Sequence, residues 1–197
     1  MTKNVRLPVY LASSSPRRRK MLRDFGVDHK LLKPDYEEAD VPGMTDPRRL
    51  VLRHAQGKAL SCAPMITDGI LLAADTVVWC AGMICGKPAG WRQARAMLGR
   101  LQDRWHQVYT GVCLLKIQQG RIAKKSLFTV RTSVRIKPMT AGDILRYFKR
   151  IYPLDKAGSY AIQSSRTTIV ESIRGSYENA VGLPMDRCLR VLKRWAA

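Results

Sequence analysis

The chain has 197 residues, with 35 Lys and Arg against 15 Asp and Glu, a net charge of +20 at pH 7. Its 46% apolar content is enough to bury a sizeable core, and its length suits one domain or two tightly packed lobes. No apolar run approaches the roughly 20 residues of a membrane span. The scattered cysteines Cys62, Cys80, Cys85, Cys113 and Cys188 make neither a CxxC zinc pattern nor an even disulfide set, and read as buried reduced thiols.

Lys3 and Arg6 precede an apolar run that stops at Ala12, too short for a secretory signal, so a cytoplasmic protein with no membrane association is expected. Pro8 to Ala12 reads as a strand running into Ser13-Ser14-Ser15 and then a helix. Ser15 suits the N-cap and Pro16 the first helical residue. Arg17, Arg18, Arg19 and Lys20 then fall in the first turn, where the helix dipole repels cations. Either this is a basic face in solvent, or arginines, serine hydroxyls and helix amides form a polyphosphate cradle. Met21, Leu22 and Phe25 predict the apolar stripe, which puts Arg18 beside the core and Arg19 and Arg23 outside.

His29 to Leu32 reads as a second strand. The loop Asp35-Tyr36-Glu37-Glu38-Ala39-Asp40 is either a metal or water-handling site or an acidic counterweight to arginines. Asp46 and Pro47 start a second helix, with Leu50, Val51, Ala55, Ala59 and Cys62 at helical spacing. Lys58 lies at the edge of that stripe, a position from which lysine usually snorkels. His54 reads as a satisfied core residue. Ile70 to Ala74 predicts a buried strand that ends in Asp75-Thr76. A charge at the carboxyl end of such a strand is a catalytic candidate, with a turn or cap as the alternative. Val77–Trp79 and Met83–Cys85 predict a hairpin about Ala81-Gly82, and Gly86-Lys87-Pro88 sets a lysine beside its end.

Ala94, Met97, Leu98 and Leu101 stripe a helix over 91–101. Strands are predicted from Trp105 to Leu115 and from Leu127 to Ile136. Thr140 caps a helix carrying Ile144, Leu145, Phe148 and Ile151. Gln163 has the donor and acceptor needed to read a pyrimidine edge, or is a surface amide. Ile169-Val170 is a short strand, Gly175-Ser176-Tyr177 and Gly182-Leu183-Pro184 are turns, and Met185, Leu189, Leu192 and Trp195 stripe a final helix. Strands alternating with helices, together with hairpins, predict an α/β fold on a mixed sheet, with residues 1–197 as a single domain.

The run Leu11-Ala12-Ser13-Ser14-Ser15-Pro16-Arg17-Arg18 resembles the opening signature of the Maf family of nucleoside triphosphate pyrophosphatases. The likeness continues in order through Glu37-Glu38, Ala74-Asp75-Thr76, Gly86-Lys87-Pro88, Asp155-Lys156-Ala157-Gly158, Ile162-Gln163, Gly175-Ser176-Tyr177 and Gly182-Leu183-Pro184. Two departures stand out: Gln102-Asp103 replaces the usual Ser-Gly, and Ser164 replaces a usual glycine.

The resemblance implies an elongated, twisted mixed sheet flanked by helices, with two lobes around a cleft, as in inosine triphosphate pyrophosphatases. It implies hydrolysis of dTTP, UTP or modified pyrimidine nucleotides to monophosphate and pyrophosphate. Arg17, Arg18, Lys58 and Lys87 would neutralise the triphosphate, Ser13 and Ser15 would add hydrogen bonds, and Arg17, Thr76 and Gln163 would set base choice. Asp75 would take a proton from water. Glu38 with Asp75 would hold a divalent cation, Mg²⁺ or alternatively Mn²⁺. A homodimer is a family-level expectation. One rival is the related 7-methyl-GTP type, whose members differ from this chain after Ser-Pro and around the aspartate. The other is a non-catalytic nucleic-acid-binding or septum-regulating protein, supported by net charge alone. No aromatic signature interleaves with the basic residues, so nucleic acid is disfavoured as a partner.

Overall fold

The computed structural model describes residues 7–38, 44–162 and 169–196. Seven strands form one mixed sheet: β1 (Val9–Ala12), β2 (Lys30–Leu32), β3 (Gly69–Cys80), β4 (Met83–Cys85), β5 (Trp105–Gln118), β6 (Arg121–Ile136) and β7 (Val170–Arg174). Their order is β2-β1-β3-β5-β6-β7, with β4 also pairing β3. β1 runs parallel to β2 and β3, while β3, β5, β6 and β7 pair antiparallel.

Among the described residues six α-helices flank the sheet: α1 (Pro16–Asp24), α2 (Pro47–Cys62), α3 (Trp91–Leu101), α4 (Ala141–Phe148), α5 (Tyr177–Val181) and α6 (Met185–Ala196). At the β1 end, α1 and α6 bury Met21, Leu22, Leu192 and Trp195 against one face. There α2 buries Ala55, Ala59 and Cys62 against the other face. At the far end, α3 and α4 close a separate core around Leu98, Leu101, Val108, Ile136 and Phe148. β3 and β5 pass through both halves.

The expected caps are present. Asp46 accepts from the Arg48 amide, and Thr140 with Asp143 forms a reciprocal capping box. All five cysteines are buried free thiols. Several expectations need correction. The strand expected to end in Asp75-Thr76 and the extended Val77–Trp79 are one strand, β3, running on to Cys80, because Asp75 and Thr76 find polar partners and stay in register with Gly111 and Thr110 of β5. β5 and β6 are longer than expected, closed by Gln119 and Gly120, both at positive φ (51° and 72°). Phe25 is the C-cap of α1 and 45% exposed, and Leu145 is 41% exposed, so neither joins the core. The expected turn at Gly175-Ser176-Tyr177 instead opens α5, with Ser176 capping it.

The sheet leaves one gap at its centre. β1 ends with Ala12 opposite Ala73, and β4 begins to pair only at Val78. Between these points, residues 74–77 of β3 have no strand on that edge among the described residues. The carboxyl-end rule therefore holds for β1 rather than for β3: Asp75 is exposed to the gap because its neighbour strand stops.

Candidate active site

The open edge of β3 floors a cleft of about 830 Å³. Ser13, Ser15, Arg17, Arg18, Glu38, Lys58, Asp75, Thr76 and Lys87 all line it. Gln163 lies outside the described residues.

Lys58 is the centre of the acidic side. Its Nζ lies 2.7 Å from Asp75 Oδ1 and 2.5 Å from Glu38 Oε1. It does not snorkel; the residue is 6% exposed. α2 delivers it there because Gly111, the β5 partner of Asp75, has no side chain. A Cβ at Gly111 would run into the backbone of Val51. Val51 and Lys58, two turns apart, share the face of α2 laid against the sheet.

Glu38 arrives by a second route. The Tyr36 ring fills the notch left by Gly57 on α2, and its hydroxyl bonds His54 Nδ1 at 3.0 Å. His54 is thus a satisfied buried residue, as expected. Two residues after Tyr36, Glu38 meets Lys58, and Lys87 Nζ approaches its other oxygen at 3.5 Å. Partial burial opposes the charge on Glu38, but the field and hydrogen bonds of Lys58 and Lys87 outweigh it and hold the carboxyl at about 2. Asp75 Oδ2, by contrast, accepts no hydrogen bond among the described residues.

The arginines of α1 divide. Arg17 crosses the cleft to Asp155, donating to its carbonyl at 3.2 Å and its carboxylate at 3.5 Å. Arg18 turns inward. Its Nε donates to the Gly182 carbonyl at 2.9 Å, Nη1 to Ser13 Oγ at 3.2 Å and Nη2 to Thr76 Oγ1 at 3.0 Å. Burial lowers its pKa, opposed by the charges of Asp75 and Glu38. The chain of bonds continues: Thr76 Oγ1 lies 3.0 Å from Thr110 Oγ1, which donates to the Asn179 carbonyl at 3.1 Å. With the Thr110 hydrogen engaged, Thr76 donates to Thr110 and accepts from Arg18. Ser15 has N-cap backbone geometry, but its hydroxyl does not cap; its amide donates to Ser13 Oγ at 3.2 Å. That first turn contains no acidic residue of its own.

Sequence reasoning missed Tyr36, Thr110 and Asn179, whose roles depend on contacts distant along the chain. It quoted Asp155 and Gly182 within motifs but gave them no role. His106, on β5, is fully buried with Nε2 2.7 Å from the Tyr160 hydroxyl. Among the described residues no three His, Cys, Asp or Glu side chains cluster. Asp75 and Glu38 therefore supply at most two carboxylates. That donor set fits Mg²⁺, which takes one or two carboxylates and completes its shell with water and substrate phosphates.

No helix among the described residues is long and apolar enough to cross a membrane. A Maf-like protein family model matches residues 8–195. A dTTP/UTP pyrophosphatase of Gloeobacter violaceus is 42% identical over 182 residues, covering 92% of this chain and 93% of its own. One of Carboxydothermus hydrogenoformans is 39% identical over 189 residues, covering 96% and 99%. A solved dITP/XTP pyrophosphatase of Mycobacterium abscessus covers 95% of this chain and 94% of its own, at 15% identity and a TM-score of 0.44, and nothing about the site rests on it. With the match running from the first strand to the last helix, this chain belongs to the family of Maf-like proteins.

Proposed function

We propose that this chain hydrolyses dTTP and UTP to the nucleoside monophosphate and pyrophosphate. The observation that carries the reading is Asp75. One of its oxygens is fixed on Lys58, the other has no hydrogen-bond partner among the described residues, and both stand on the floor of a cleft walled by cations. The names of the pyrimidine-nucleotide relatives support the choice of substrate.

In this reading the triphosphate lies across Arg17, Lys58 and Lys87, whose charge offsets that of its oxygens. Asp75 Oδ2 accepts a proton from the attacking water. The water oxygen bonds to the α-phosphorus, the α–β anhydride bond breaks, and pyrophosphate leaves with the electron pair. Lys58 holds the Asp75 carboxylate in position. Glu38 and Asp75 would hold Mg²⁺, which supplies charge neutralisation on the phosphates when bound. Ser13 and Ser15 hydroxyls add hydrogen bonds. Arg18 holds Thr76 and the Gly182 backbone in place, and Thr76 faces the base.

A non-catalytic binder would have no use for two carboxylates inside a basic cleft. A panel of nucleoside triphosphates with Mg²⁺, assayed for pyrophosphate, tests the reading. dTTP and UTP should lead; preference for 7-methyl-GTP, or no release from any triphosphate, would overturn it.

A further inference from the structure

Away from the cleft floor, the fold assembles an aromatic cluster that the linear sequence does not show. Trp91 opens α3, Phe148 ends α4 and Tyr152 follows in the next loop. The Trp91 ring packs edge-to-face on Phe148 (6.2 Å, 62°) and on Tyr152 (6.2 Å, 84°). Phe148 is buried beneath at 6% exposure, while Trp91 and Tyr152 are 47% and 58% exposed. Trp91, seated on the buried Phe148, and Tyr152, packed on Trp91, both keep open surface on the outside and form a stacking platform.

The rim of this platform is basic. No acidic residue occurs between Asp75 and Asp103, or between Asp143 and Asp155. Of the two acids that flank α4 and its following loop, Asp143 is paired with Arg146, and Asp155 with Arg17 and Lys156. Arg95 stands one turn after Trp91 on α3, and Lys149 and Arg150 lie between Phe148 and Tyr152. All three are exposed and have no acidic partner among the described residues.

We propose that the Trp91–Tyr152 platform, with Arg95, Lys149 and Arg150, binds single-stranded nucleic acid. Exposed aromatic faces interleaved with cations are what a single strand needs: bases stack on the rings and phosphates meet the basic side chains. The two rings are nearly perpendicular, so they take two bases no longer stacked on each other, a state open to a single strand and closed to a duplex. A second copy of the chain is a poor occupant, because it would bring another cationic rim to a protein already at +20. A lipid surface is also a poor fit. The rings come from separate segments and pack on one another instead of projecting from one helix face. The run Phe148-Lys149-Arg150-Ile151-Tyr152 interleaves aromatics and cations too briefly to mark a nucleic-acid surface by itself; the fold adds Trp91 to it from 57 and 61 residues away along the chain.

The test is fluorescence anisotropy with a labelled oligothymidylate of roughly 15 nucleotides, a duplex of equal length, and vesicles containing phosphatidylglycerol. The single strand should bind at least about tenfold tighter than the duplex, and affinity should fall steeply with salt. Trp91→Ala combined with Tyr152→Ala should weaken it by about tenfold or more with the melting temperature retained. Lys149→Glu with Arg150→Glu should flatten the salt dependence. If the double aromatic variant melts early, Tyr152→Leu, at the most exposed of the rings, is read in its place and should weaken binding in the same sense. Equal binding of duplex, undiminished binding by the aromatic variants, or capture of vesicles in place of the oligonucleotide would overturn the proposal. The readout does not depend on nucleotide hydrolysis, so it stands or fails separately from the assignment of the cleft.

Discussion

Lys58 Nζ and Asp75 Oδ1, 2.7 Å apart, form a buried ion pair with side chains 8% and 9% exposed, and Glu38 closes on the same ammonium. Removing the cation leaves the buried Asp75 carboxylate without its counter-charge, beside the partly exposed carboxylate of Glu38. Lys58→Met should cost about 3–5 kcal/mol of stability in urea unfolding, far above a surface lysine such as Lys20. A cost under about 1 kcal/mol would mean that the ammonium does not hold the pair together.

Gly111 permits the approach that makes this pair. Gly111→Ala places a methyl group into the Val51 backbone of α2, which cannot yield as a flexible side chain would. Destabilisation of about 1–3 kcal/mol is expected. Catalytic activity should fall as well, because α2 carries Lys58. Wild-type activity in the folded variant would show that α2 can retreat without disturbing Asp75.

The relay from Arg18 through Thr76 and Thr110 to the Asn179 carbonyl can be cut at one atom. Thr110→Val keeps the shape but leaves Thr76 only the longer 3.5 Å bond to the Gly182 carbonyl and leaves the Asn179 carbonyl without the Thr110 donor. The expected loss is about 1–3 kcal/mol by thermal or urea unfolding. If Thr76 faces the base, the ratio of dTTP to UTP hydrolysis should shift in the same variant.

Burial pushes the His106 imidazole down to about 4, opposed only by the Arg104 carbonyl, against 6.5 when unfolded. Above pH 6.5 both states hold it neutral and the full stability is present. Below that pH the unfolded chain takes up the proton first, so stability is lost as pH falls from 6.5 toward 4. Between pH 7 and pH 5 the loss from this group should be about 2 kcal/mol. His106→Gln keeps an acceptor for the Tyr160 hydroxyl without a titrating ring, and should flatten that part of the profile.

Much of this was legible along the chain, for physical reasons that differ by element. Asp46-Pro47 and Thr140 announced their helices because caps are local chemistry, satisfied within three residues. The cation-rich start of α1 stands out by an equally local dipole argument, and Arg17 and Arg18 from it line the cleft. The extent of β3 was misread for the opposite reason. Asp75 and Thr76 look like strand-breaking polar residues until their partners are known, and those partners come from α2, α1 and β5. The spacing of α2 leaves Lys58 at an edge where lysine usually snorkels, because nothing near it in sequence shows that Gly111 lets α2 sit so close. The platform of Trp91, Phe148 and Tyr152 was invisible for the same reason.

The most direct measurement is pyrophosphate release from dTTP and UTP with Mg²⁺, comparing the wild type with Asp75→Asn, a nearly isosteric change that removes the proton acceptor. The account expects one pyrophosphate per monophosphate from the wild type and a loss of at least about 10²-fold in the variant, assayed below its melting temperature because Lys58 loses one of its two carboxylate partners. Release of orthophosphate instead, or a variant that turns over at the wild-type rate, would contradict it.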